Sequence, residues 1–228
     1  MAIILCIETS GPVCSVALFQ DFDTCLGQLK EEQTFQHAAI TTVLIEQLLK
    51  DCNLKTTDLD AIAICGGPGS YTGLRIGTSI AKGLCYVLDI PLIAINSLEV
   101  LAFGFLQNQS VNETDIIRPA IDARRMEVYT AGFRGDLSIV SEPRSLVIDE
   151  SSFQSDLDNS VMHFMGSGAA KISETIQHKH LHSHSQDFLS AKHIGPLAYT
   201  RWEIKDFEDT AYFEPYYLKA FHTTAKIK

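Results

Sequence analysis

Several common features are missing from this 228-residue sequence, and each absence excludes a class of protein. No apolar run reaches the length that crosses a membrane, and no signal peptide precedes the first apolar strand. Lysine and arginine form no dense cluster, and the net charge of −10 argues against a large basic surface for nucleic acid. We therefore expect a cytoplasmic protein without membrane contact, in which any role on nucleic acid is shared with a more basic partner.

Cysteine is present, but the pairing that marks many metal and redox sites is not. The six cysteines include no C-x-x-C pair and lie mostly within apolar strand-like or helical runs. This distribution is typical of reduced core residues in a cytoplasmic protein.

A glycine turn at residues 66–75 reads Gly-Gly-Pro-Gly-Ser-Tyr-Thr-Gly-Leu-Arg, between an apolar strand and a helix predicted over 71–88. Glycine permits positive φ, and the first N–H groups of a helix point outward with the helix dipole behind them. This geometry suits an anion or a closely packed backbone. It is not a Walker-type phosphate loop, because no Gly-Lys-Ser/Thr follows, and Ser70 is typical of a helix N-cap.

The helix predicted over 71–88 carries small residues four positions apart. Each helical glycine costs about 1 kcal/mol relative to alanine, so it is kept where a side chain would obstruct something. We interpret the small residues as a groove for a helix of another protein, and packing on the chain's own sheet is an equally supported alternative. A helix predicted over 35–52 adds an apolar stripe. The predicted partner interface comprises Gly73, Gly77, Ile80, Ala81, Leu84 and Leu88 from one helix and Leu44 and Leu48 from the other.

The order of predicted elements indicates an α/β protein with two similar lobes. A β-hairpin opens the chain, βα units follow it, and polar residues at 107–115 predict a linker. We therefore predict mixed sheets flanked by helices, with an N-terminal lobe at 1–107, a C-terminal lobe at 108–228 and a cleft between them. The second half is predicted to hold strands at 116–122, 127–133, 138–148 and 161–165 and helices at 151–157 and 196–205.

Several stretches of the sequence together resemble one protein family. Residues 7–10, Ile-Glu-Thr-Ser, followed by an apolar strand, are similar to the phosphate hairpin of the actin/Hsp70-like (ASKHA, RNase H-like) superfamily. The glycine turn, continued to Gly77, resembles the signature of the TsaB (YeaZ) family within that superfamily. Further TsaB-like stretches lie at 122–129, 166–169 and 215–218, so the resemblance spans nearly the whole chain.

The resemblance implies a two-lobed actin/Hsp70-like fold and a role in making N6-threonylcarbamoyladenosine (t6A) at position 37 of tRNAs. It implies a non-catalytic subunit that binds and supports the transferase TsaD, with the ATPase TsaE as a further partner and tRNA contacted only through the complex. TsaD-like proteins carry two metal-binding histidines four residues apart, where this sequence has Ser97 and Leu101. Leucine cannot ligate a metal, so we expect neither a metal nor catalytic residues. Because an exposed apolar surface is costly in water, we expect a heterodimer with TsaD and a homodimer when the chain is alone.

The resemblance also points to residues of a nucleotide cleft. An ATPase of this fold holds Mg²⁺ with acidic residues at the base of the cleft, and Glu8 and Asp122 are the candidates here. A hydrogen-bonded turn carboxylate is the alternative interpretation of each. We expect no intrinsic cofactor, and a site for ATP or ADP with Mg²⁺ at the interface with the partner. The candidate nucleotide or anion contacts are Glu8, Ser10, Gly69, Ser70, Arg75 and Asp122.

Two other functions remain open. One is an ATP-dependent transferase or kinase of the same superfold that acts alone, against which the missing histidine pair weighs. The other is a peptidase, which would need a histidine base beside a serine nucleophile, and no spacing identifies such a pair. The histidines at 178, 180, 182 and 184 alternate, so in an extended segment they would face one way and gather a divalent ion, whereas polar neighbours favour an exposed loop or edge strand.

Overall fold

The structure is a computed structural model that describes residues 1–31 and 37–219. Two five-stranded mixed sheets with flanking helices form two lobes, which confirms the predicted α/β architecture. No helix of the described residues is long and apolar enough to span a bilayer. The first half of the chain holds β1 (Ile4–Glu8), β2 (Cys14–Phe19), β3 (Cys25–Glu31), α1 (His37–Asp51), a short 3₁₀ helix (Thr56–Asp58), β4 (Ala61–Gly67), α2 (Tyr71–Leu88), β5 (Leu92–Asn96) and α3 (Ser97–Leu106). The second half holds β6 (Ile116–Asp122), β7 (Glu127–Phe133), β8 (Ile139–Val147), α4 (Gln154–Asn159), β9 (Met162–Met165), α5 (Ala169–Thr175), β10 (Leu181–His184) and α6 (Ala191–Glu203).

The first sheet has the strand order β3-β2-β1-β4-β5, with β1 antiparallel to β2 and parallel to β4. Every residue of β1, β2 and β4 is buried, because helices cover both faces of these strands. Leu5 and Ile7 pack in one core with α1 and α2, whereas Ile4 and Cys6 pack in another core with α6. The adjacent carboxyl ends of β1 and β4 bring the β1–β2 turn and the glycine turn together.

The second sheet has the strand order β10-β9-β6-β7-β8, and α4 and α5 share a core with it. Helix α3 links the two lobes. Its buried Leu101 and Phe105 belong to a single core that includes Ala63 from the first sheet and Ile117 from the second. The lobes therefore share one continuous core across α3.

The C-terminal part of the chain returns to the first lobe, which corrects the predicted lobe boundaries. Ala191 N donates to Ser15 Oγ at 2.9 Å, and Ala198 is buried in the core beneath the first sheet. Glu208 N donates to Leu92 O at 2.9 Å, so the segment after α6 borders β5. The second lobe therefore ends before α6 instead of continuing to the C-terminus. The predicted helix start at residue 35 and the tail beyond residue 219 lie outside the described residues.

All six cysteines are free thiols, four of them buried. Burial raises the pKa of every one, and it raises the pKa of Cys85 to about 12. A thiol with a raised pKa is a poor nucleophile and a poor metal ligand. The interpretation of these cysteines as inert, mostly core residues is therefore supported.

Candidate functional site

The glycine turn packs against the β1–β2 turn of the same chain. Ser70 N donates to Ser10 O at 2.8 Å, and a Cβ at Gly69 would lie 2.7 Å from that oxygen. Ser70 Oγ accepts from Gly73 N at 3.2 Å, which confirms Ser70 as the N-cap of α2. Such a turn could hold an anion or pack closely against another backbone segment, and in the described residues it packs against backbone.

The small residues of α2 do not form an open groove. A Cβ at Gly73 would overlap the carbonyl oxygen of Thr9, and a Cβ at Gly77 would overlap Thr9 Oγ1. Thr9 Oγ1 in turn donates to Gly73 O at 2.8 Å, and Ala81 is fully buried between α2 and the sheet. The interpretation of Gly73, Gly77 and Ala81 as partner contacts is therefore wrong, because their own sheet and hairpin occupy the space. The alternative, close packing on the chain's own sheet, is confirmed.

The remaining residues of the predicted interface differ in exposure. Leu48 is buried in the core beneath α1, so it too is unavailable to a partner. Leu44 is half-buried at the edge of the same core. The half-buried residues of α2 at this edge are Ile80, Leu84 and Leu88.

We call the exposed side of α2 its outward face. It consists of Thr72, Ser79, Gly83, Tyr86 and Val87, all of which are exposed. A Cβ at Gly83 would meet no atom of residues 1–31 and 37–219 within 4 Å. The Tyr86 side chain is 86% exposed and that of Val87 is 79% exposed. Helix α1 packs beside α2 and adds Val43, which is 56% exposed. The sequence-based prediction missed this face because it relied on the spacing of the glycines. The large residues Tyr86 and Val87, which lie outside the apolar stripe of α2, could have indicated it.

Glu8 does not offer a magnesium ligand. Its side chain is fully buried, and Oε1 accepts from Ser10 Oγ and from Gly11 N, each at 2.8 Å. Burial raises the pKa of Glu8, and these hydrogen bonds only partly oppose the effect. Ser10 Oγ also lies 3.2 Å from Ser97 Oγ, and both serines are buried. Glu8 is therefore a hydrogen-bonded turn carboxylate, which was the alternative interpretation.

Asp122 lies at the exposed end of β6 and is already paired. Its Oδ1 accepts from Lys171 Nζ at 2.6 Å and from Arg124 N at 2.7 Å. Among the described residues, no hydrogen bond or ion pair joins Asp122 to Glu8. A buried acid and a lysine-paired acid do not make a Mg²⁺ site. The described residues therefore do not fit a magnesium nucleotide held within this chain alone.

Arg75 is the cation among the candidate anion contacts, and its side chain is exposed. Its guanidinium carbon lies 4.2 Å from the centre of the Tyr71 ring, a cation–π geometry. A hydrogen bond with Tyr217 raises the pKa of Arg75, and the Tyr71 and Tyr217 rings are 5.1 Å apart. The two tyrosines hold the cation beside Thr72, at the start of the outward face of α2.

The chain's serines and histidines form no catalytic pair in the described ranges. Ser70 Oγ is committed to the α2 cap, and no hydrogen bond between a serine hydroxyl and a histidine ring is found among these residues. Leu101, at the second position of the expected histidine pair, is buried in the core. No group of three or more histidine, cysteine, aspartate or glutamate side chains in residues 1–31 and 38–219 could hold a metal.

The four alternating histidines do not share one extended strand. Only His182 and His184 lie on β10, an edge strand of the second sheet. His163 on β9 lies between partners, with Nδ1 3.1 Å from His184 Nε2 and Nε2 3.2 Å from Asp115 Oδ2. His180 Nδ1 instead lies 2.8 Å from a carbonyl oxygen of α4, ahead of the strand. The edge-strand interpretation is therefore confirmed for the end of this run.

Comparison with known proteins agrees with these features. The family model "TsaD: tRNA N6-adenosine threonylcarbamoyltransferase" matches residues 27–200. The chain is 39% identical over 127 residues to the tRNA threonylcarbamoyladenosine biosynthesis protein TsaB of Bacillus subtilis (strain 168), which covers 56% of this chain and 53% of that protein. The chain thus spans about half the length of the curated relatives it matches.

Solved structures extend the similarity over the whole fold. A Pseudomonas aeruginosa protein, described as uncharacterized with similarity to the peptidase YeaZ, matches with a TM-score of 0.85 and 25% identity over 96% of this chain and 100% of that one. The ADPNP-bound activator of the 2-hydroxyisocaproyl-CoA dehydratase of Clostridium difficile matches with a TM-score of 0.50 and 8% identity over 90% of this chain and 97% of that one. The second match shows the two-lobed fold alone. Because the family model covers most of the chain, the chain belongs to the TsaD-type family, and its relatives within that family are TsaB (YeaZ) proteins.

Proposed function

We propose that this chain is a non-catalytic subunit that binds a TsaD-type transferase in the cytoplasm. In that complex it supports the formation of N6-threonylcarbamoyladenosine at position 37 of tRNAs. The names of the relatives supply the pathway. The buried Glu8, the lysine-paired Asp122 and the leucine at position 101 argue for a supporting role, since none of them can hold a reacting metal or nucleotide.

The outward face of α2 is the observation that carries this proposal. Gly83 weakens the helix by about 1 kcal/mol relative to alanine and relieves no contact with the residues that the structure describes. Tyr86 and Val87 expose apolar surface next to it, which is unfavourable in water unless a second molecule covers it. A glycine flanked by large apolar residues allows a partner helix to approach closely. The helices of a TsaD-type subunit would pack here and against Val43 of α1.

The same face supports a homodimer when the transferase subunit is absent. A C2 dimer pairs one surface with its own copy, so the outward face of α2 would pack on itself. The dimer and the heterodimer would then compete for Tyr86 and Val87. Light scattering that finds a monomer at tens of micromolar would contradict this part of the proposal.

A nucleotide, if the complex holds one, is assigned to the junction between the subunits. Arg75 supports this placement, because it is exposed and held by Tyr71 and Tyr217 at the start of the outward face. ATP or ADP with Mg²⁺ would need its acidic ligands from the partner, since Glu8 and Asp122 do not fit them. A TsaE-type ATPase and the tRNA would join through the complex, because the net charge of −10 disfavours direct contact with RNA.

The rival functions have less support. An ATP-dependent transferase or kinase that acts alone would need an open pair of metal-binding carboxylates. A peptidase would need a base beside a serine, and the serines of the glycine turn and the β1–β2 turn bond to other groups. The word peptidase in the description of the Pseudomonas protein refers to a similarity of that protein.

Co-purification with a TsaD-type subunit, followed by nucleoside analysis of tRNA, tests the proposal. We expect a stable complex, a fall of t6A in cells depleted of this chain, and recovery when the chain is restored. The purified chain without partners should neither modify tRNA nor hydrolyse ATP. Modification of adenosine by the chain alone, or normal t6A after depletion, would contradict the proposal.

A further inference from the structure

A cavity of about 690 Å³ lies between the carboxyl ends of β4 and β5 and the segment at 208–217. Its volume is in the range of small-ligand sites. Its floor is the bare backbone of Gly66 and Gly67. Its aromatic wall consists of the lining residues Tyr212, Phe213, Tyr216 and Tyr217.

The cavity is shaped by the fold without a ligand. Tyr216 N donates to Gly66 O at 2.7 Å, and Lys82 Nζ donates to Phe213 O at 3.0 Å. A Cβ at Gly67 would lie 2.8 Å from Tyr216 O, so the segment can approach only bare backbone. These contacts hold the aromatic wall in place, which lowers the ordering cost of binding.

Three carboxylates make the cavity lining acidic, and two cations, Lys82 and Arg75, lie just outside that lining. Glu208, Asp209 and Glu214 line it, and no lysine, arginine or histidine is among its described lining residues. Asp209 Oδ1 accepts backbone N–H groups at 2.9 and 3.2 Å and so holds a turn. In the described part of the chain, no hydrogen bond or ion pair within 4 Å engages the carboxylates of Glu208 or Glu214. Burial, with the charge of Asp206, raises the pKa of Glu208, as expected for an acid without a cation.

We propose that this cavity receives an arginine side chain presented by a basic segment of a partner protein. Carboxylates repel phosphate, so the cavity disfavours nucleotides. A guanidinium stacks on aromatic rings and pairs with carboxylates through a planar fork, which a lysine ammonium cannot do. The net charge of −10 also favours a basic partner.

This inference goes beyond the proposed function. None of the cavity-lining residues belongs to the outward face of α2. Tyr217 lines the cavity and also holds Arg75 near that face, so the variants that test each surface leave Tyr217 unchanged. Loss of the arginine contact would leave the helix packing of a TsaD-type partner intact. Loss of the helix packing would leave arginine binding by the isolated chain intact.

The peptide acetyl-Gly-Arg-Gly-amide is the probe, and the same peptide with citrulline is its neutral control. Titration of the full ¹⁵N-labelled chain is followed by the backbone amide signals of Gly66, Gly67 and Asn96. We expect saturable shifts at these amides with the arginine peptide and at least about tenfold weaker binding of the citrulline peptide, since hydrogen bonds to charged groups are strong.

Variants of the chain locate the binding. Glu208→Gln combined with Glu214→Gln should weaken the arginine peptide at least about tenfold, with an unchanged thermal midpoint because neither carboxylate holds the fold. Glu150→Gln combined with Glu203→Gln removes the same charge outside the cavity and should change the affinity by less than about twofold.

Three results would overturn the inference. Equal affinity for the citrulline peptide would show that charge is not recognised. Equal loss in the Glu150/Glu203 control would show diffuse attraction to an acidic surface. Saturable shifts at Gly66 and Gly67 with adenosine, but none with the arginine peptide, would assign the cavity to a nucleoside.

Discussion

On the inward face of α2, Gly73 and Gly77 leave room for Thr9, whereas on the outward face no atom of the described residues would lie within 4 Å of a Cβ at Gly83. The inward glycines are required by the fold, because any side chain there would displace the β1–β2 turn. The outward glycine is unfavourable for the helix and unnecessary for the fold. Repeated glycines in one helix can thus have a different cause on each face. The glycine without a cause inside the chain marks the surface to test for a second molecule.

Gly73→Ala should break the inward face and give the largest effect. The added Cβ overlaps the Thr9 carbonyl, which is backbone and cannot rotate away. We expect the free energy of unfolding to fall by about 3 kcal/mol, measured by urea denaturation, or the protein to be lost on expression. The control Gly83→Ala should gain up to about 1 kcal/mol. A Gly73→Ala variant as stable as the wild type would mean that α2 packs differently.

Tyr86→Ser combined with Val87→Ser should break the outward face instead. We expect the affinity for a TsaD-type partner to fall about 100-fold, because a large aromatic and an aliphatic contact are lost. The free energy of unfolding should change by less than about 0.5 kcal/mol, because both side chains are exposed. The measurement is calorimetric titration, with Ile204→Ser, which alters a 67% exposed apolar residue after α6, as control. An unchanged dissociation constant would show that the partner binds elsewhere.

Glu8→Gln tests the burial of the β1–β2 turn through the pH dependence of stability. Burial raises the pKa of Glu8, so the unfolded chain loses this proton at a lower pH than the folded chain. The stabilisation from Glu8 is present below its ordinary pKa of 4.5 and is lost as pH rises through the folded pKa. We therefore expect Glu8→Gln to become more stable relative to the wild type between pH 4 and pH 7, by urea denaturation at each pH. Parallel stability profiles would mean that Glu8 ionises in the folded chain as readily as in water.

Asp122→Ala should give the smallest effect. Its carboxylate is 45% exposed and pairs with Lys171, and such surface pairs contribute less than about 1 kcal/mol. We expect a comparably small change in the free energy of unfolding and normal t6A in cells whose only copy carries the substitution. ATP hydrolysis by the purified wild-type chain that disappears in Asp122→Ala would favour the enzyme that acts alone.

Much of the fold could be predicted because clear local signals bound its elements. The predicted bounds of α2, β6 and β7 are those of the structure. Helix α2 starts after its cap, Ser70, and α3 starts after Asn96, whose side chain accepts from Leu98 N at 2.9 Å. The apolar stripe of α1 likewise faces the core, as periodicity predicts.

The start of α6 shows where such signals mislead. The prediction placed this helix at 196–205, and proline is common in the first helical turn. The helix begins at Ala191, because Ser190 Oγ accepts from Lys192 N at 3.3 Å and caps it. Pro196 then lies inside the helix, where tertiary packing of Ala198 against the first sheet outweighs the lost hydrogen bond.

The candidate site was harder to predict than the fold. Spacing places Gly73, Gly77 and Ala81 on one face of a helix, but it does not say whether that face meets the chain's own sheet or another protein. Long-range packing decides this, and Thr9 is more than sixty positions away in the sequence. The exposure of Glu8 depends on the same packing, so its burial could not be read from its neighbours.

The most direct test compares Gly83→Leu with the wild type in both folding and association. The chain's own fold should gain from the substitution, with a higher thermal midpoint, because leucine favours a helix and its Cβ meets no atom in the described part of the chain. Calorimetry with a TsaD-type subunit should show affinity at least about tenfold weaker, because the leucine blocks close helix approach. Unchanged affinity in a folded Gly83→Leu chain would contradict the assignment of the outward face of α2 to a partner.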